Sequence, residues 1–261
     1  MVAPWPRPSY TAGGNAGQVA LIALSSAKLP DPLPISRTRH GMPDHGDGPV
    51  AVELAVRDRA TNGEWFADSV VAPFAGMIVE DLGAEVAAGA LAADYAYVIT
   101  AELDDPDDLG HIQAAWALAK CVCEEGAAVV IDVYAVCAHL GTAVAALSPE
   151  RDFDVAREIG LFVDDQEDGS GAAWAIGLRK FGRPDLVVLN ISPDGGPEAA
   201  LVLRDVATML AAGEIIEPGD RIGVSDGRLL VVERFDPASS AIVAVEGEAL
   251  MLVDTATTVS A

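Results

Sequence analysis

Apolar residues recur along this chain with two periods, and the switches between them mark out its elements. QVALIALSS, residues 18–26, and PVAVELAVRD, 49–58, are strand-length apolar or alternating stretches bounded by turn residues, which predicts two β-strands. DYAYVITAEL, from residue 94, predicts a third. In the DDPDD that follows, Asp105 is placed as a helix N-cap and Pro106 at the first helical position. Asp107 and Asp108 then fall in the first turn, where negative charge meets the helix dipole. Leu109, Ile112, Trp116, Ala119 and Cys123 follow at spacings of three, four, three and four, and Gly126 closes the helix before the strand AAVVIDVYA. The result is a β-loop-α-β unit.

The arrangement recurs downstream. PDLVVLNIS, 184–192, reads as a strand, Pro197 starts a helix, and Val202, Val206, Met209 and Leu210 share one face of it up to Gly213. Between the two units, REIGLFVDD predicts a strand and AAWAIGLRKFG a short helix. After a turn at Pro218-Gly219, RIGV and RLLVVERF pair through Asp226-Gly227, and AIVAVEG and ALMLVD extend a meander. Residues 64–92 are apolar with helical stretches but poor periodicity. Residues 1–18, rich in Pro, Gly, Ser and Asn, read as a flexible tail. The expected architecture is α+β: a single domain over 19–261, with helices packed on a mixed sheet, two β-loop-α units and a β-rich meander over 215–261.

The stretch YVITAELDDPDDLGHIQAAWALAKCVCEEGAAVVID, followed after a spacer by WAIGLRKFGRPDLVVL, resembles a bacterial domain family of unknown function. In that family a strand, a long helix and a second strand precede a Gly-Leu or Gly-Met, Phe-Gly, Pro-acidic signature. Its positions here are Gly177, Leu178, Phe181, Gly182, Pro184 and Asp185. The resemblance covers residues 94–190. It implies a fold and an association with bacterial toxin-immunity neighbourhoods, and it transfers no catalytic residue.

Charge narrows the function classes. The 261 residues carry a net charge of −24, with Lys28, Lys120 and Lys180 the only lysines, so the surface is anionic and repels nucleic acid and acidic lipid. Such a surface serves solubility, or it meets a basic partner. Residues 126–148 hold one formal charge, Asp132, but their β-branched first half and the polar Tyr134 and His139 suit a strand and a loop better than a membrane span. Three cysteines are too few and too irregular for a disulfide framework, and the N-terminal residues lack a secretory pattern, so a reducing cytoplasm is expected.

Candidate chemistry is sparse. RHGMPDHGDG, 39–48, gathers His40, Asp44, His45 and Asp47, all ligand types for a divalent metal and the core of a metal-dependent hydrolase reading. Gly41, Pro43, Gly46 and Gly48 explain the loop equally as turn chemistry, and no cofactor is needed on that reading. Cys121 and Cys123 sit two apart on a helix, about 200° around its axis, and cannot chelate one ion. Cys137 and His139 point to one face if strand geometry extends that far. A thiolate and an imidazole so spaced could share zinc or activate each other, although the sequence locates nothing to complete the site, which favours core packing. Asp164, Gln166, Asp168 and Gly169 begin a calcium-like pattern that fails at its closing position, Ala175. The basic cluster Arg179, Lys180 and Arg183 either docks an anionic group or pairs with the chain's own carboxylates. The expected function is a non-enzymatic, immunity-like binding module with a basic protein partner. The alternatives are the hydrolase, with Asp132 or His139 assisting, and a structural subunit of a larger assembly.

Overall fold

The computed structural model describes residues 2–44, 52–151, 153–164, 171–225, 227–239, 243, 245 and 247–254. The fold is α+β, as the hydrophobic pattern predicts. Its contacts cluster into two compact units. The first comprises Met1–Pro6, Gly17–Leu103 and Asp108–Phe153, and the second Arg7–Ala16, Asp104–Asp107 and Asp154–Ala261. Both units are discontinuous in sequence, which is why no composition shift announces them.

The strands of the first unit are β1 (Gly17–Ser25), β2 (Val52–Asp58), β3 (Tyr95–Leu103), β4 (Val129–Asp132) and β5 (Cys137–Leu140). They form one sheet in the order β2-β3-β1-β4-β5, with every pairing antiparallel. Because β3 and β4 both run antiparallel to β1 between them, they are parallel to each other, a split form of the predicted β-loop-α-β unit. The helices are α1 (Arg37–His40), α2 (Gly63–Phe66), α3 (Ala72–Leu82), α4 (Ala84–Leu91), α5 (Gly110–Glu124) and α6 (Gly141–Ala145), with a π-turn at Ala67–Val71. Phe66, Val70, Phe74, Ile78, Ala87 and Ala90 pack on Ile22, Leu24, Ala96, Val129 and Ile131 to form one core.

Helix α5 departs from the expected stripe, with 13 of its 15 residues buried. Its N-cap position is Leu109, and the Asp108 carboxylate accepts the Gly110 amide at 2.8 Å, so the helix begins four residues beyond Pro106. Asp105 is no cap: its φ is +33°, a left-handed conformation that Asp tolerates better than most residues. No helix among the described residues is long and apolar enough to cross a membrane, and the 126–148 stretch folds as β4, a turn, β5 and α6.

The second unit contains β6 (Gly160–Asp164), β7 (Gly171–Ile176), β8 (Asp185–Ile191), β9 (Arg221–Gly223), β10 (Leu229–Arg234) and β11 (Ala249–Asp254), in the order β6-β7-β8-β11-β10-β9. Only β8 and β11 pair in parallel. Helix α7 (Val155–Glu158) precedes this sheet, and α8 (Gly196–Ala211) lies against it with Val202, Leu203, Val206 and Leu210 buried. Trp174, Val187, Phe235 and Ala249 build a further core cluster. The predicted short helix at AAWAIGLRKFG divides into strand at its start and a helical turn near its end. Trp174 stacks across the ladder on Phe162, Gly177 at φ +97° ends β7, and only Leu178–Phe181 coil into a 3-10 turn.

The expected N-terminal tail is packed. Trp5 is 4% exposed, and its amide donates to Gln113 of α5. In the second unit the buried Arg7 guanidinium donates to the carbonyls of Leu210, Ala211 and Pro106, closing the C-terminal end of α8. Burial lowers the Arg7 pKa to about 10; the neighbouring Arg183 adds to the effect and Asp105 opposes it. Single large side chains anchor this segment where its Pro- and Gly-rich composition predicts none.

Candidate functional site

The residues singled out by sequence are positioned by structure in different ways. His40 ends α1 and is buried. Its Nδ1 accepts the Ser36 amide at 2.9 Å, which leaves Nε2 as the ring donor toward Glu124, 3.3 Å away. Arg39 also pairs with Glu124, while Asp44 pairs with Arg37 at 2.9 Å. His40 and Asp44 are thus each committed to a different neighbour, and the imidazole does not face solvent as a loop residue would. His45 and Asp47 lie outside the described residues. Among the described residues, no group of three or more His, Cys, Asp or Glu side chains is arranged to hold a metal ion. Of the calcium-like pattern, Asp164 ends β6 and Ala175 lies within β7, while Gln166, Asp168 and Gly169 are not described.

The basic cluster does not form a surface. Lys180 and its partner Glu158 are both fully buried, with Nζ donating to Oε2 at 2.9 Å, and Arg157 reaches the other carboxylate oxygen at 3.2 Å. Arg183 is buried as well. It donates to the carbonyls of Gly182, Gly213 and Glu214, and lies 3.6 Å from Asp105. Only Arg179 keeps partial exposure. Lys180 and Arg183 therefore belong to the protein's interior, because ammonium and guanidinium groups removed from water are retained where carboxylates and carbonyls replace it.

The same geometry explains the Gly-Leu, Phe-Gly, Pro-Asp signature. Gly177 and Gly182 occupy left-handed backbone, and a Cβ on Gly182 would stand 2.1 Å from the Asn15 carbonyl oxygen. Leu178 and Phe181 are core residues, and the Asp185 carboxyl accepts the Leu178 amide at 3.1 Å. Five of the six motif positions, Gly177, Leu178, Phe181, Gly182 and Asp185, support the turn between β7 and β8.

The more promising site lies at the C-terminal end of β8. Strands β8 and β11 pair over Asp185–Val187 and Ala249–Met251 and then stop pairing, although both run on for three or more residues. Beyond that point, among the described residues, neither strand has the other as a ladder partner. A cavity of about 520 Å³ opens there, lined by Val188–Ser192 of β8 and its exit, Met251–Asp254 of β11, the first turns of α8, and Arg228, Leu230 and Glu233. Asn190, at φ +58°, marks an irregularity in the β7/β8 ladder one residue before β8 ends. The walls are apolar, from Val188, Leu189, Leu230, Leu252 and Val202. The rim carries Glu198, Glu233 and Asp254 against a single cation, Arg228, a net charge of −2. Arg228 lies 2.9 Å from Glu198 and 3.8 Å from Asp254. The ends of parallel strands beside a helix N-terminus commonly receive ligands, but this charge balance disfavours an anion and suits a cation. These residues come from three separated segments, and no local motif in the sequence could have grouped them.

No family model, curated protein or solved structure matches the chain.

Proposed function

We propose that the protein is a non-enzymatic binding module that takes an extended, basic segment of a protein partner into the cleft between β8 and β11. The observation that carries this reading is the early end of the β8/β11 ladder. Beyond the ladder's end the two strands line one cavity of about 520 Å³, with Val188, Leu189, Leu230 and Leu252 beside the carboxylates of Glu198, Glu233 and Asp254. Backbone groups along such edges offer a partner strand its hydrogen bonds, and alternate side-chain sites give selectivity. Glu198, Glu233 and Asp254 would select Lys or Arg, and the chain's charge of −24 would speed the encounter. The resemblance of residues 94–190 to an immunity-associated family supports a protein partner, while the buried Lys180 and Arg183 speak against an acidic one.

The test is a fluorescence-polarisation screen of short peptides in which Lys or Arg alternates with apolar residues, set against acidic and neutral counterparts. Basic peptides should bind, more weakly as salt rises, and a variant combining Glu198→Gln, Glu233→Gln and Asp254→Asn should lose that preference. Equal binding by the triple variant, or selection of acidic peptides, would overturn the proposal.

A further inference from the structure

The strand geometry that would bring Cys137 and His139 to one face is present. Both lie on β5, and Cys137 Sγ is 3.3 Å from His139 Nε2, within hydrogen-bonding range for sulfur. The indole of Trp116, on α5, meets the imidazole edge to face with ring centroids 5.4 Å apart, which restricts its rotation. Cys137 is half-buried, the most exposed of the three cysteines. Cys121 and Cys123 are both buried on α5. Burial raises the first thiol to about 11, with Glu125 and Glu124 adding to the effect, and the second to about 12. Among the described residues, Cys137 is the cysteine whose sulfur has an imidazole recorded beside it.

We infer that Cys137 is the reactive thiol of this chain and takes small disulfides in thiol–disulfide exchange, with His139 as its proton acceptor. The Sγ proton passes to Nε2, and the thiolate attacks one sulfur of the incoming disulfide. The S–S bond of the reagent breaks as the bond from Cys137 forms. The displaced thiolate takes the proton back from His139 and leaves as a thiol, so the Cys137 sulfur is oxidised from the thiol to the disulfide level and the departing sulfur of the reagent is reduced from the disulfide to the thiol level in the same step. Charged residues stand on the elements packed against β5. Asp132 stands across the ladder from Cys137, and Asp81, from α3, accepts the Ala138 amide at 2.7 Å. From α5, Lys120 and Glu124 lie 3.9 Å apart as an ion pair, and α6 carries no charged residue. The inference is independent of the cleft in the second unit.

The experiment uses the intact chain and dithiodipyridine, a small disulfide without charge at neutral pH that the anionic surface does not repel. One equivalent of thiopyridone should appear in a fast phase from the folded protein, with the rest released only on unfolding, and Cys137→Ser should abolish the fast phase. His139→Gln should slow it roughly tenfold near pH 7 but leave the rate nearly unchanged at about pH 9.5, where solvent generates the thiolate unaided. A fast phase that survives Cys137→Ser would overturn the assignment. Slowing by the same factor at both pH values would reduce His139 to a shaping role and overturn its part as proton acceptor. If His139→Gln lacks the wild-type circular dichroism, the rate profile of the wild-type chain decides the matter. Titration of the fast phase below the ordinary thiol range supports the pair, and titration at or above that range refutes it.

Discussion

Asp105→Ala separates two readings of the DDPDD segment. A helix cap would hold only the first turn of α5, and its loss costs about 1 kcal/mol. In the structure the Asp105 carboxylate instead accepts the Gly13 amide at 2.7 Å, the Gly14 amide at 3.0 Å and the Tyr10 hydroxyl at 3.1 Å, with Arg183 at 3.6 Å. Its side chain is 24% exposed, so water replaces part of what is lost. Hydrogen bonds to a charged group are worth about 1.5–3 kcal/mol each when buried, and discounting for exposure brings the total for Asp105→Ala to about 2–4 kcal/mol. Asp105→Asn keeps an acceptor oxygen and tolerates the left-handed backbone, so it should cost about half as much.

The carboxyl also carries a pH signature. Partial burial acts to raise its pKa, but the Gly13 amide, the Tyr10 hydroxyl, the Gly14 amide and Arg183 together outweigh that effect, and it lies below the usual aspartate value. Its contribution is therefore fully present above about pH 4 and is lost as pH falls through the lowered value, a decline that the Asn variant should lack. Urea unfolding gives the energies, and hydrogen exchange locates them: protection should fall over residues 10–15 and remain over Gly110–Gln113. A loss of no more than about 1 kcal/mol, with protection lost in α5 and kept at Gly13 and Gly14, would restore the cap and refute the anchor.

Strands were the most legible part of the fold, because β1, β3, β4 and β8 are dense in β-branched and apolar residues between clear turn signals. β7 was not. Its Ala-Ala-Trp-Ala run has no period of its own and becomes a strand through pairing with β6 and β8 on either side. DDPDD misled because its residue types suit a cap, while the partners that claim Asp105 lie about ninety residues away in sequence. β2 alternates as a half-buried strand should, yet Leu54 and Val56 are exposed at the edge of the sheet. Local pattern records which faces can be buried, and topology decides which are. The candidate sites divide in the same way. Cys137 and His139 were legible as a pair because two residues on one strand need only its pleat to meet. The β8/β11 cleft depends on strands separated by more than fifty residues, and its three carboxylates are unremarkable in a chain this acidic.

Two perturbations test the interior of the second unit. Lys180→Met removes the ammonium from a fully buried ion pair and should cost about 3–5 kcal/mol in urea unfolding, most of it recovered when Glu158→Leu is added; a single variant within about 1 kcal/mol of wild type would show the pair to be hydrated. Asp185 should leave its mark on the pH dependence. Burial pushes its carboxyl up to about 7, against the opposing pull of the Leu178 amide, Arg179 and the Gly177 amide. Between the unfolded value, about 4, and that raised value, the folded chain holds a proton that the unfolded chain has released. Stability from this group therefore declines as pH rises through that window and is level above it, the reverse of the Asp105 signature. Asp185→Asn cannot ionise, so its thermal midpoint should lack this decline between about pH 4 and pH 7. Parallel profiles for the variant and the wild type would mean that Asp185 is ionised in the folded chain, with water or Arg179 offsetting its burial.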